Sequence, residues 1–227
     1  MKYQRLTNLW RSWWPSLIVI VVVLSFRSAV ANWYDVPTGS MQPTIYVGDR
    51  IVVDLTAYDW KVPLIGSVSH RADPERGDIV TFPSPKDGIR LVKRILAVPG
   101  DVVEMKNNKL ILNGKLIDYQ PQPNNLHYAL PPDETAAMVL LEENLAGVHH
   151  SIMLTPSREV AGTWGPIHVP NDRYLMIGDN RDNSADSRWF GLVEREAIEG
   201  RAHTVAMSLD LDRWWMPRWG RFFRSLS

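Results

Sequence analysis

The chain has 227 residues, enough for one or two domains, and its 25 basic and 25 acidic side chains cancel. A neutral balance gives no global reason to expect a nucleic-acid partner. Cysteine is absent, which excludes disulfides, thiolate metal sites and cysteine catalysis together.

Taken in chain order, residues 1–11 carry Lys2, Arg5 and Arg11 and no acid. A mostly apolar stretch follows from Trp13 to Phe26, unbroken from Leu17 to Leu24. As a helix it would span about 21 Å, short of a hydrocarbon core of roughly 30 Å. Continuing to Trp33, with Arg27 snorkelling to the far interface, makes up the difference. The sequence thus predicts one transmembrane helix within residues 1–34, with the basic start in the cytoplasm and the rest of the chain exported. The competing reading is a cleavable signal peptide cut after Ala29-Val30-Ala31. Arg27 just before that cut, and the tryptophans bracketing the segment, favour a retained anchor.

Beyond residue 34 the pattern is that of strands. Asp49–Asp54, Gly77–Phe82, Ile89–Val98 and Arg173–Ile177 are short β-branched runs bounded by glycine, proline and aspartate. Val102–Met105 and Leu110–Leu112 flank Asn107-Asn108, and Asn113-Gly114 is a strong type I′ hairpin turn. No long amphipathic helical pattern occupies the middle of the chain. The expected fold is mainly β, an antiparallel catalytic domain formed by residues 35–105 and 168–209. Residues 106–167, marked by Pro121, Pro123, Pro131, Pro132 and His149-His150, read as a smaller β-rich subdomain inserted in it. In the tail, 210–227, Trp215, Trp219, Phe222 and Leu226 share one face of a helical wheel, with Arg218, Arg221 and Arg224 off it. Such an end either contacts anionic lipid headgroups or docks as a terminal helix on its own domain.

Three features carry chemistry. Ser40 lies in Val36-Pro37-Thr38-Gly39-Ser40-Met41-Gln42-Pro43-Thr44, a loop that two prolines and a glycine make stiff and non-helical. A serine hydroxyl needs a base to become a nucleophile. None of the six histidines stands in a triad context, and Gly-x-Ser-x-Gly is absent. Lys93 shares one face of a predicted strand with Ile89, Leu91, Ile95 and Ala97, an apolar setting. An ordinary lysine is neutral in only about a few molecules per ten thousand at pH 7, but burial lowers its pKa by up to roughly 3–5 units. By itself, a lysine on a strand is more often a snorkelling surface residue than a catalytic base. The third feature is the loop from Gly178 to Arg188, too polar for core, and otherwise a solvated run of aspartate and asparagine turns. A calcium loop would need a glycine and a glutamate at positions where this loop has neither.

Together, Thr38-Gly39-Ser40-Met41-Gln42-Pro43-Thr44, the Gly77-Asp78-Ile79-Val80 run, Lys93-Arg94-Ile95 with Val98-Pro99-Gly100-Asp101, and Gly178 to Arg188 resemble the ordered motifs of bacterial type I signal peptidase (leader peptidase). The resemblance covers about residues 33–208 and is weakest over 115–167. It implies Ser40 as nucleophile, Lys93 as general base, and an oxyanion hole made by the Ser40 N–H and the Thr38 hydroxyl. It implies further that Ser184 hydrogen-bonds and orients the lysine amine. Asp186 would pair with Arg94 and Arg188, and Asp179 would support the same loop. Val36, Met41, Ile45, Leu91 and Val92 would line a shallow cleft that takes small P1 and P3 side chains, hence Ala-x-Ala sites.

The implied partners are exported preproteins, membrane lipid and a neighbouring secretion translocon, with no nucleic acid. The implied location is the inner membrane, as a single-pass protein with its catalytic domain on the extracytoplasmic side. No metal or organic cofactor is implied, since neither His-Glu-x-x-His nor a glycine-rich nucleotide loop is present. One anchor instead of two, and no cysteine pair, depart from the enterobacterial pattern without touching the catalytic set. The rivals are a specialised serine–lysine maturation protease of the pilin or conjugation type, a self-cleaving repressor, which would need a DNA-binding helix pair, and a catalytically silent, membrane-tethered peptide-binding β domain.

Overall fold

The computed structural model describes residues 13–16, 31–62, 66–123, 138–157 and 162–226. Most of the expected membrane anchor therefore lies outside the described residues, and no helix among those described is long and apolar enough to cross a membrane.

The β-branched runs become strands where expected. In chain order they are β1 (Ala31–Asp35), β2 (Asp49–Asp54), β3 (Asp59–Val62), β4 (Gly66–His70), β5 (Ile79–Pro83), β6 (Arg90–Ala97), β7 (Val102–Lys106), β8 (Lys109–Leu112), β9 (Lys115–Leu116), β10 (Asp118–Pro121), β11 (Val139–Leu145), β12 (Val148–Leu154), β13 (Trp164–His168) and β14 (Arg173–Ile177). A single-turn helix α1 (Ser187–Phe190) follows, then β15 (Val193–Glu194), β16 (Gly200–Asp210), β17 (Met216–Pro217) and β18 (Arg224–Ser225). The main sheet runs β1-β2-β16-β5-β6-β14-β15, and β17 and β18 also pair with β16. Smaller sheets are β10-β11-β12, β13-β7-β8-β9 and β3-β4. Every one of these strand pairings is antiparallel, which makes the protein mainly β.

Local chemistry explains the hairpins. Asn107 and Asn108 have φ of 51° and 61°, and Asn113 and Gly114 have 53° and 78°. Two consecutive positive φ values are what a type I′ turn demands, and asparagine tolerates them best after glycine.

Three large apolar clusters fill the interior of the described residues, and a fourth, smaller one joins Leu140 and Met153. One gathers Val36, Met41, Ile45, Ile51, Val53, Ile79, Ala202, Val205 and Leu226. A second joins Val80, Phe82, Ile95, Tyr174, Met176 and Val193, and a third joins Leu96, Ala97, Val103, Leu110, Leu175 and Ile177. The pairing of β14 with β6 steps from Leu175↔Ala97 to Met176↔Ile95, so Leu96 is an extra residue on β6. This bulge bends the strand and turns both Leu96 and Ala97 into the third cluster. Ala97 therefore leaves the face expected for Lys93, and Ile89 lies before the strand, 62% exposed.

The tail corrects the helical reading. It forms β17, a 3-10 turn over Trp219–Arg221, and β18, all folded back on β16. Trp214, Trp215 and Phe223 adopt positive φ, which a helix excludes. Leu226 is buried in the first cluster, and the Arg221 guanidinium reaches Asp49 and lies over the Tyr46 ring. Trp214, Trp215, Met216, Trp219 and Phe223 stay exposed.

Candidate active site

The segment from Val36 to Asp49 is pinned at both ends. The Val36 N–H donates to the Asp49 carbonyl and the Gly48 N–H to the Val36 carbonyl, both at 3.0 Å. Within it the Gln42 N–H donates to the Gly39 carbonyl and the Ile45 N–H to the Met41 carbonyl. Met41 and Ile45 are sealed in the core beneath, so the loop is held from below with Ser40 partly open to solvent.

β6 brings Lys93 to it. Nζ of Lys93 lies 2.6 Å from Oγ of Ser40, within hydrogen-bonding distance. The lysine is 2% exposed. Burial lowers its pKa to about 8, against an opposing pull from the Asp186 and Asp179 carboxylates. An amine that is largely neutral at mildly alkaline pH, already touching a hydroxyl, can take that hydroxyl's proton.

The third segment arrives by register. Ile177 on β14 pairs with Arg94, which sets Gly178 beside Lys93. Gly178 must be glycine, since a Cβ there would fall 2.4 Å from both the Ser184 hydroxyl and the Ser40 carbonyl oxygen. Asp179 follows at 0% exposure and binds the Arg94 guanidinium in two places, Nε to Oδ1 and Nη2 to Oδ2, each at 2.8 Å. Burial opposes ionisation of this carboxyl, but Arg94 and the Thr44 hydroxyl hold its pKa below the usual range.

Asp186 does not reach Arg94 as expected. It caps α1, accepts the Gly178 N–H at 3.1 Å, and takes Nε and Nη2 of Arg188, each at 2.8 Å. The physical reason is order along the chain. Asp179 leaves β14 directly beside its partner strand, while Asp186 is carried onward to the short helix. Ser184 is buried, with its Oγ close to where the Gly178 side chain would be, but that oxygen has no hydrogen-bond partner among the described residues. The expected bond to Lys93 is not formed.

The expected cleft residues divide. Val36, Met41 and Ile45 join one cluster, with Val92 packed on it, and Leu91 packs on another. Met41 and Ile45 are 1% and 0% exposed, so they shape the serine loop from beneath and present no surface to a substrate. Leu91 and Val92 are half-buried and Thr38 is exposed. Asn180 escaped the sequence reading, where it looked like one turn former among several. Its N–H donates to the Ser40 carbonyl at 3.1 Å and its Nδ2 to the Gly39 carbonyl at 3.0 Å. Thr44, read only as the end of the serine loop, is the other omission.

Comparison with known proteins identifies the family. The model of the family "Signal peptidase, peptidase S26" matches residues 10–207. A signal peptidase I from Pseudomonas fluorescens is 36% identical over 214 residues, covering 87% of this chain and 71% of the relative. Signal peptidase I P from Bacillus subtilis subsp. natto is 32% identical over 200 residues, covering 87% and 89%. The crystal structure of a signal peptidase I from Enterococcus faecalis V583 is 29% identical, covers 56% of this chain and 95% of its own, and superposes with a TM-score of 0.35. With a matched span that reaches from before the serine loop to β16, this chain belongs to the signal peptidase family, peptidase S26, and is a serine endopeptidase.

Proposed function

We propose that the chain removes N-terminal signal peptides from exported preproteins with Ser40 as nucleophile and Lys93 as general base. The observation that carries this is the 2.6 Å contact between Lys93 Nζ and Ser40 Oγ, made by an amine that burial brings to a pKa of about 8. Oγ attacks the scissile carbonyl as its proton passes to Nζ. The tetrahedral intermediate collapses, the C–N bond breaks, and Lys93 returns the proton to the departing amine of the mature protein. The signal peptide is left as an ester on Ser40. Lys93 then deprotonates a water that attacks the ester, and Oγ recovers its proton.

The Ser40 N–H donates to no acceptor among the described residues and so is available to the developing oxyanion, with the Thr38 hydroxyl as second donor. Asp179 holds the loop against β6 through Arg94, and Asp186 and Arg188 tie the loop to itself. Leu91 and Val92 form the half-buried wall against small P1 and P3 side chains of Ala-x-Ala sites. Residues 35–105 and 168–209 act as the catalytic domain, and 106–167 as the inserted subdomain.

A single anchor within residues 1–34 keeps the enzyme on the outer face of the inner membrane, near the translocon. Exposed Trp33, in the middle of β1, and the exposed tail aromatics interleaved with arginines support contact with lipid. The test is incubation of the full chain with a preprotein, followed by sequencing of the product's new N-terminus. The expected product begins immediately after an Ala-x-Ala sequence, and Ser40→Ala yields none. Cleavage elsewhere, or cleavage by the alanine variant, refutes the proposal.

A further inference from the structure

The loop that follows β14 is gripped from a second side, by strands outside the main sheet. Glu143 on β11 and His150 on β12 are register partners, and Arg181 of the loop reaches Glu143. Its Nη2 donates to Glu143 Oε1 at 2.6 Å, and His150 Nε2 lies 3.3 Å from the same oxygen. The three side chains are 1%, 0% and 4% exposed. Nε and Nη1 of Arg181 and Oε2 of Glu143 have no hydrogen-bond partner among the described residues. A buried pair left this incompletely bonded is a poor stabiliser, since apolar replacements of similar volume are often neutral or better. Some other role must explain such an expensive arrangement.

The backbone around it points to Ser40. The Met153 N–H donates to the Asp179 carbonyl at 2.9 Å, and the Arg181 N–H to the Met153 carbonyl at 3.0 Å. The Thr155 N–H also donates to Asp182 Oδ2 at 2.7 Å. Asn180, caught between these bonds, is the residue that donates to the Ser40 and Gly39 carbonyls. Arg181, whose side chain makes the ion pair, thus directly follows the residue that bonds to the backbone of the nucleophile.

We infer that the Glu143–Arg181 pair is a positioning device for Ser40. It fixes the register of Asn180 against the Gly39 and Ser40 carbonyls, and through them the approach of Ser40 Oγ to Lys93. A directional charged bond selects one placement of the loop, where apolar side chains would accept several. The inference rests on the proposed roles of Ser40 and Lys93. Misplacement of a reacting atom by about 1 Å is enough to cost roughly 10²-fold in rate.

The test compares wild type, Ser40→Ala, Asn180→Ala and the double variant Glu143→Leu/Arg181→Met by thermal melting and by kcat and KM on a preprotein. The double variant is expected to melt like wild type but to lose roughly 10- to 100-fold in kcat with KM unchanged. Asn180→Ala is expected to show the same split. A folded double variant with wild-type kcat overturns the inference. Should the double variant not fold, Glu143→Gln carries the test, because it keeps the shape of the side chain but removes the charge that directs Arg181. A wild-type kcat in Glu143→Gln overturns the inference equally. An active Ser40→Ala protein would instead remove the reading on which the inference rests.

Discussion

Lys93 and Arg94 are consecutive on β6 and almost equally buried, at 2% and 3% exposure, yet the regions around them differ completely. Arg94 meets a carboxylate placed for two parallel bonds, plus the Gly77 carbonyl at 2.8 Å. Lys93 meets a neutral hydroxyl and, among the described residues, bonds to no carboxylate. The arginine thus sits against its counter-charge, while the lysine is driven toward neutrality, with a pKa of about 8. A matching carboxylate compensates the buried charge of Arg94, whereas the same burial of Lys93 without one favours the neutral amine.

The largest effect that would sharpen this contrast is loss of the neutral amine. Lys93→Arg keeps a cation at the site but cannot release a proton at usable pH. We expect kcat for preprotein cleavage to fall on the order of 10⁴–10⁶-fold. Activity within tenfold of wild type would remove Lys93 as the base.

On the other side of the comparison, Asp179→Ala leaves the Arg94 charge buried without its partner. The expected cost is about 3–5 kcal/mol, read from denaturant unfolding. An unchanged midpoint would mean that Arg94 finds other compensation and that the two regions are less different than their geometry.

Lys93→Met tests the lysine side in the same currency with the opposite sign. A shift from 10.5 to about 8 amounts to about 3 kcal/mol of destabilisation carried by the native lysine. The folded pKa lies below the unfolded one, so the unfolded chain binds more protons between those values, and wild-type stability rises with pH across them. The methionine variant should accordingly be inactive and more stable, with its full advantage below about pH 8 fading toward 10.5. No gain in stability at neutral pH would show that the lysine is not strained by burial.

The smallest and simplest measurement is the pH profile of kcat/KM for the wild type. It should rise about tenfold per pH unit and level off near the Lys93 pKa of about 8. A flat profile from about pH 6 to 9 would contradict a lysine base.

Much of this was legible because the signals are local. The asparagine turns at Asn107-Asn108 and Asn113-Gly114, the β-branched runs, and the rigid loop around Ser40 follow from backbone preferences of a few adjacent residues. The resemblance of the ordered motifs to signal peptidases pointed correctly to the family. Two of the readings that failed did so where a local pattern met a distant partner. The tail has a helical wheel, but β16 offers it a sheet edge, and Asp49 captures Arg221. Met41 and Ile45 were assigned to a substrate wall, but in three dimensions they face Ile51, Val53 and Val205.

What the sequence determined by itself is the set of chemical groups and the type of element that carries each: Ser40 on a stiff loop, Lys93 on a strand, and a polar loop closed by Gly178. What only the tertiary structure decided is who meets whom. Asp179 and Asp186 are chemically alike, and no spacing rule distinguishes them. The Leu96 bulge and the Ile177↔Arg94 register deliver Asp179 to Arg94, while α1 carries Asp186 to Arg188. Asn180 likewise becomes a clamp on Ser40 only because the Met153 backbone holds it there. Pairings of this kind depend on distances of a few ångströms between segments far apart in the chain, and strand registers and side-chain burial set those distances.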